Sequence, residues 1–225
     1  MTFPYWIPFE NEWWTFLSFL FLILGIVGIS DFTQKQDWIS PDANRKWVHF
    51  LVGIFVCISP LIFSTNLWPI TLSIIFIFLN GYALRKELFK GIHSQDRLSY
   101  GTVYFPIAYF IMVLFFWNYP ELIILSFLVL AISDPLASQV GQSTVFPSKF
   151  KIWVDEKTAQ GTIAFFSSAF IILYLGAHSF FDNSNNYLFG LALFTALGAT
   201  IAEITSCRGT DNISIPIVCL LFMIG

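Results

Sequence analysis

Residues 122–141 read LIILSFLVLAISDPLASQVG, and their reading decides what kind of protein this is. From Leu122 to about Val140 the stretch has the ~17–25 residues of a membrane-spanning helix. Asp134 sits inside it. A carboxylate there costs roughly 2.5 to 3.5 kcal/mol on insertion scales, unless it faces a polar cavity or a partner. Pro135 removes a backbone donor, frees a carbonyl and can kink the helix. Ser138 follows Asp134 by one turn and shares its side. Gly141 either ends the helix or permits close backbone approach. The bland reading of Asp134 is a structural carboxylate hydrogen-bonded to a neighbouring helix. Ionisable groups inside membrane helices more often mark a working site.

The rest of the chain repeats the apolar pattern at residues 13–29, 47–63, 67–84, 101–117, 161–177 and 188–203, and in a shorter stretch at 213–224. The expected fold is an all-α polytopic integral membrane protein with seven spanning helices. The short C-terminal apolar segment has the length of a re-entrant or half-spanning piece. Composition agrees: 56% of the 225 residues are hydrophobic and 11% are charged, against about 25% charged in a soluble domain. No nucleic-acid partner is expected. Trp13-Trp14, after Glu10 and Glu12, reads as an interfacial anchor. No basic segment precedes the first run, so it reads as a retained helix rather than a signal peptide. Cys57, Cys207 and Cys219 have no metal-binding spacing. No internal repeat or soluble segment divides residues 1–225, which read as one transmembrane helical domain.

The eleven Lys and Arg residues fall in alternate connectors. Lys35, Arg45 and Lys46 follow the first run; Arg85, Lys86, Lys90 and Arg97 follow the third. Lys149, Lys151 and Lys157 follow the fifth, and Arg208 follows the seventh. The positive-inside bias then puts the N-terminus outside and the basic connectors in the cytoplasm. A prokaryotic plasma membrane is the expected location.

Further polar elements lie at that same face. Lys149, Lys151 and Lys157 precede Thr158-Ala159-Gln160-Gly161-Thr162 at the start of the sixth run. Ammonium groups beside the unsatisfied N–H groups of a helix start form an anion site; the plain alternative is topogenic charge with a Thr cap. Glu203, Asp211 and Asn212 bring three oxygen-bearing side chains to the depth of Asp134 and suit Mg2+. Helix capping is the other reading of Asp211 and Asn212. Arg45 and His49 share a helix face, and 96–102, Asp96 to Thr102, reads as a capping and headgroup segment.

Together these elements resemble the CTP-dependent lipid kinases: the dolichol, phytol and related polyprenol kinases, and the fungal-type CTP-dependent diacylglycerol kinase. The likeness runs from Asn44 to the C-terminus. It rests on Arg45, Lys46 and His49; on Asp134, Ala137, Ser138 and Gly141; on Lys157, Thr158, Gly161 and Thr162; and on Glu203, Asp211, Asn212 and Pro216. Gln142-Ser143-Thr144 departs from the pattern, where the family often has a basic residue and a second Gly. Asp155-Glu156 also makes the lysine loop less positive.

The resemblance implies transfer of the γ-phosphoryl group of CTP, or ATP, to the hydroxyl of a membrane lipid alcohol such as a polyprenol, a phytol-like alcohol or diacylglycerol. Lys149, Lys151 and Lys157 would neutralise phosphates, and the 158–162 turn would add N–H donors. Arg45, Lys46 and His49 would clamp a phosphate beside Ser138 and Gly141. Glu203, Asp211 and Asn212 would hold Mg2+, and Asp134 would either join the metal shell or accept the hydroxyl proton. Two rival functions fit some of the same residues. A CDP-lipid-forming cytidylyltransferase needs the same nucleotide site, and a transporter would use Asp134-Pro135 as a broken-helix ion site.

Overall fold

The computed structural model describes residues 3–86 and 99–224. Lys90, Arg97 and the 96–98 part of the expected capping segment lie outside these residues. Among the described residues, nine α-helices and one β-hairpin follow in order: α1 (Glu12–Lys35), α2 (Pro41–Ile62), α3 (Leu67–Arg85), α4 (Gly101–Phe116), α5 (Pro120–Leu128), α6 (Asp134–Ser143), β1 (Lys149–Ile152), β2 (Asp155–Thr158), α7 (Ala159–Phe180), α8 (Asn185–Thr205) and α9 (Asp211–Ile224). A π-helical turn, Val129–Ser133, joins α5 to α6 without a break.

Among the described residues six helices are long and apolar enough to cross a membrane: α1, α2, α3, the continuous Pro120–Ser143 segment, α7 and α8. The fourth expected span, α4, has 16 residues and α9 has 14. At 1.5 Å per residue these reach about 24 and 21 Å, short of a ~30 Å hydrocarbon layer. Several helices run beyond their apolar stretches. α1 continues to Lys35, where Lys35 pairs with Asp31 at 2.6 Å. α2 starts at Pro41, capped by the Ser40 hydroxyl, which accepts from Ala43 N–H at 3.3 Å. Caps and i,i+4 pairs propagate a helix past the point where hydrophobicity stops.

The Pro120–Ser143 segment is the centre of the fold. Ile123, Phe127, Val129, Leu130 and Ala131 are buried, and α2, α7 and α9 pack around them. Asn44, buried in α2, donates to Ser30 O at 2.7 Å, which ties α2 to α1, and accepts from Trp47 Nε1 of its own helix at 2.7 Å. Among the described residues, parts of the basic connectors meet at one end of the bundle: Lys46 meets Gln142, Lys157 meets Glu203, and Tyr100 N–H donates to Arg208 O at 2.9 Å.

The expected all-α class needs one correction. The lysine loop is an antiparallel hairpin in which Lys149 faces Thr158 and Phe150 faces Lys157. Lys-Phe-Lys-Ile alternates with the period of a strand, and its exposure alternates with it. Trp153 turns the chain with φ 57. Gly141 does not end its helix, which continues to Ser143; it serves close approach instead. A Cβ on Gly141 would lie 2.5 Å from Thr158 Oγ1, and one on Gly161 would lie 2.7 Å from Ala137 O. These two glycines let α6, the hairpin and the start of α7 share one seam.

Gly161→Val should therefore force α7 away from α6. Overpacking of this kind costs about 1–3 kcal/mol, so the thermal midpoint in detergent should fall. An unchanged midpoint would show that the seam yields freely.

Candidate active site at the polar end of the bundle

A cavity of about 820 Å³ opens at the end where the basic connectors meet. That is within the ~300–1,000 Å³ of small-molecule sites. Its polar part is lined by α2, α6, the hairpin, the start of α7, the end of α8 and the start of α9.

Asp134 is the first residue of α6, where the π-helical turn hands over to α-helix. In an i→i+5 pattern the Leu130 carbonyl would look to residue 135, which is proline and has no N–H. His49 of α2 occupies the gap. Its Nε2 lies 3.3 Å from Leu130 O and 4.0 Å from Asp134 Oδ2. Donation to the carbonyl requires the proton on Nε2. Asp134 is also within electrostatic reach of Asp211, Lys157, Glu203 and Arg45.

Lys157, on β2, reaches Glu203, on α8, at 2.5 Å; the two side chains are 17% and 6% exposed. Burial opposes the charge on Lys157, but Glu203, with Asp211 and Asp134, more than offsets it and raises the ammonium above its ordinary pKa. Glu203 uses only one oxygen in this pair. Its Oε2 is buried with no hydrogen-bond partner, as are Asn212 Oδ1 and Thr162 Oγ1. Asp211 Oδ1 accepts from Asn212 N and Nδ2 at 2.9 and 3.0 Å, and both residues line the cavity.

Arg45 and Lys46 are joined to α6 through Asp42, which the sequence reading did not single out, and Gln142, noted there only as a departure from the family pattern. Asp42 binds Lys46 at 2.6 Å and Arg45 at 3.5 Å. Gln142 accepts from Lys46 at 2.7 Å, donates to Asp42 at 2.9 Å and lies 3.5 Å from Ser138 Oγ. A signal for Gln142 was available, because 134, 138 and 142 repeat every four residues on one helix face.

Two other expectations are modified. Lys149 lines the cavity while pairing with Glu156 at 2.8 Å, but Lys151 is exposed on the hairpin and does not line it. The start of α7 also offers fewer free donors than its sequence implies. Thr158 Oγ1 accepts from Gly161 N–H at 3.1 Å, and Ala159 N–H donates to Ser148 O at 2.9 Å.

Among the described residues no three His, Cys, Asp or Glu side chains form a metal-binding group. The unpartnered oxygens of Glu203 and Asn212 beside Asp211 do not fit an all-protein cage. They fit a cation such as Mg2+ that takes one or two carboxylates and fills its shell with water and phosphate oxygens.

The cavity also has an apolar arm that sequence reading missed. It passes between α1, α2, α3 and α4, and Phe19, Val56, Leu72 and Tyr109 line its deep end. α1, which lay outside the motif-bearing part of the sequence, is one of its walls.

No protein-family model and no solved structure matches the chain. Among curated proteins, it is 27% identical over 215 residues to a Triticum aestivum protein named "Probable phytol kinase, chloroplastic", covering 88% of this chain and 71% of that one. A Zea mays protein of the same name is 26% identical over 219 residues, with the same coverage. An uncharacterised protein of Methanocaldococcus jannaschii is 30% identical over 185 residues, 77% of this chain and 88% of its own. The plant names are chloroplastic, so they lend no support to the expected prokaryotic plasma membrane. The chain thus belongs to one family with the M. jannaschii protein, and its homologues named phytol kinase support that family as one of lipid kinases.

Proposed function

We propose that this protein transfers the γ-phosphoryl group of a nucleoside triphosphate, CTP in first place and ATP in second, to the hydroxyl of an isoprenoid alcohol of the phytol class. The observation that carries this reading is the continuity of one cavity. Asp134, Lys157 and Glu203 line its polar part, and an apolar arm leads from them into the bundle. The phytol kinase homologues supply the substrate class.

Lys157 and Lys149, with Arg45 and Lys46, neutralise the nucleotide phosphates, and positioning supplies most of the remaining catalysis. Asp134 stands beside His49, whose ring packs edge-on against Phe105 at 5.4 Å, at the mouth of the apolar arm. The alcohol oxygen there bonds to the γ-phosphorus, and its proton passes to Asp134. The bond from the γ-phosphorus to the β–γ bridging oxygen breaks, and the nucleoside diphosphate leaves with that electron pair. Glu203, Asp211 and Asn212 are the residues that would hold Mg2+, which neutralises charge on the phosphates when bound. The basic end faces the cytoplasm or its topological equivalent, with the N-terminus on the opposite side.

The direct test offers the detergent-purified protein γ-labelled CTP or ATP with phytol, polyprenol and diacylglycerol in turn. Labelled phytol phosphate is expected; no labelled lipid from any alcohol with either nucleotide would sink the reading. Release of pyrophosphate instead would identify a cytidylyltransferase. Asp134→Asn should lower turnover by about 10²–10⁴, the range of general base catalysis. Near-normal turnover would remove Asp134 from the chemistry.

Removing one member of the Lys157–Glu203 pair strands the other charge in a buried place. Lys157→Met should destabilise by about 3–5 kcal/mol, and adding Glu203→Leu should recover most of that stability but not the transfer. Equal midpoints for the single and double variants would refute the coupling. Orientation is tested by Phe146→Cys and Asn183→Cys with a membrane-impermeant thiol reagent in sealed vesicles on a background lacking Cys207. Labelling of both from the same side would overturn the topology.

A further inference from the structure

The apolar arm has a definite end. One face of α2 runs the length of the cavity: Arg45 and His49 at its mouth, Val52 and Val56 in the middle, Ser59 at the bottom. Arg45 and Ser59 are fourteen residues apart, roughly 21 Å along a helix, which is about two-thirds of a ~30 Å hydrocarbon layer. α1 contributes Phe19, Ile23 and Val27, and α3 contributes Leu72, Phe76 and Asn80, each set at four-residue spacing on one helix face.

At the bottom, Tyr109 of α4 is hydrogen-bonded to Ser59, and both are buried. Ser59 O–H donates to Val56 O at 2.7 Å, so the Tyr109 hydroxyl is the donor to Ser59 Oγ. Both hydroxyl protons are therefore used within the protein, and the floor presents no unmet donor. A satisfied floor suits a methyl terminus, since a second polar group would find no donor there. Beyond the floor, Phe16, Ile62 and Phe63 pack with Phe19 and Leu72 into a buried cluster, in which the Phe19 and Phe63 rings are 5.4 Å apart. The arm cannot extend past that plug without disturbing it.

We infer that the floor made by the Ser59–Tyr109 pair, with Phe19 and Leu72, sets the longest hydrocarbon tail the alcohol substrate can carry. The inference rests on the lipid-alcohol reading for the identity of the ligand. Ser59, Tyr109, Phe19 and Leu72 are specificity-determining residues, remote from the phosphoryl groups. Each methylene that still enters the arm should tighten binding roughly fourfold, and the gain should stop when the tail meets the floor.

The test is equilibrium binding of primary alcohols of increasing chain length to the full-length protein in nanodiscs, read by displacement of a fluorescent alcohol without nucleotide. For the unmodified protein, affinity should climb with length and then level off. Ser59→Phe should raise the floor, bring the plateau to shorter chains and weaken the longest alcohols at least tenfold. Tyr109→Ala should lower the floor and move the plateau to longer chains. Should one variant not fold, the direction of shift in the other decides. Affinity that climbs without a plateau, or a plateau that stays in place in the folded variants, overturns the inference. A plateau that moves as expected in a protein that phosphorylates no alcohol upholds the tail pocket while the kinase reading falls.

Discussion

The Lys157–Glu203 ion pair ties together parts of the protein that have little else in common. Lys157 comes from the hairpin outside the bundle, and Glu203 from the last turns of a helix apolar enough to span. Neither charge is stable alone at that depth, because the surroundings replace little of the hydration each gives up. Their pairing holds β2 over the end of α8. That in turn sets where Thr158 caps α7 and where Gly161 meets Ala137. The partnerless second oxygen of Glu203 shows that the pair does not exhaust the carboxylate.

A second constraint comes from the surrounding medium. An unsatisfied backbone group is costly in hydrocarbon, so such a protein concentrates its polar chemistry where helices end. The polar end of the bundle follows this rule, with caps, ion pairs and short connectors interlocked. The opposite end is closed by rings instead: Trp13, Phe16 and Trp68 pack within 5.4 Å of one another. The cavity therefore changes from charged to apolar along the axis of the helices that line it.

Much of this was legible from residue types. A carboxylate in an apolar run has few structural excuses, and Asp134 does line the cavity. Arg45, Lys46, His49, Lys157, Thr158, Glu203, Asp211 and Asn212, scattered through the chain, also line it. What was not legible depended on pairing or shape. The hairpin is four residues a side, and its lysines look like topogenic charge until the alternation of Phe150 and Ile152 is noticed. Lys151 is set apart from Lys149 only by position on the hairpin. The apolar arm is invisible to composition, because a wall facing a cavity and a wall facing lipid use the same side chains. Phe19 and Ile23 differ in no chemical way from their exposed neighbours Phe21 and Leu22.

The π-helical turn before Asp134 bears on how this chain is compared with its relatives. A π turn holds one residue more than the α turn it replaces, and that residue rotates everything after it by about 100° about the helix axis. Asp134, Ser138 and Gln142 point into the cavity because of that extra residue. A relative with a plain α turn in the corresponding place would have to be one residue shorter there to present the same face. A single-residue gap in Val129–Ser133 would then mark a conserved direction of the acidic side chain, and an ungapped alignment could match letters that look different ways.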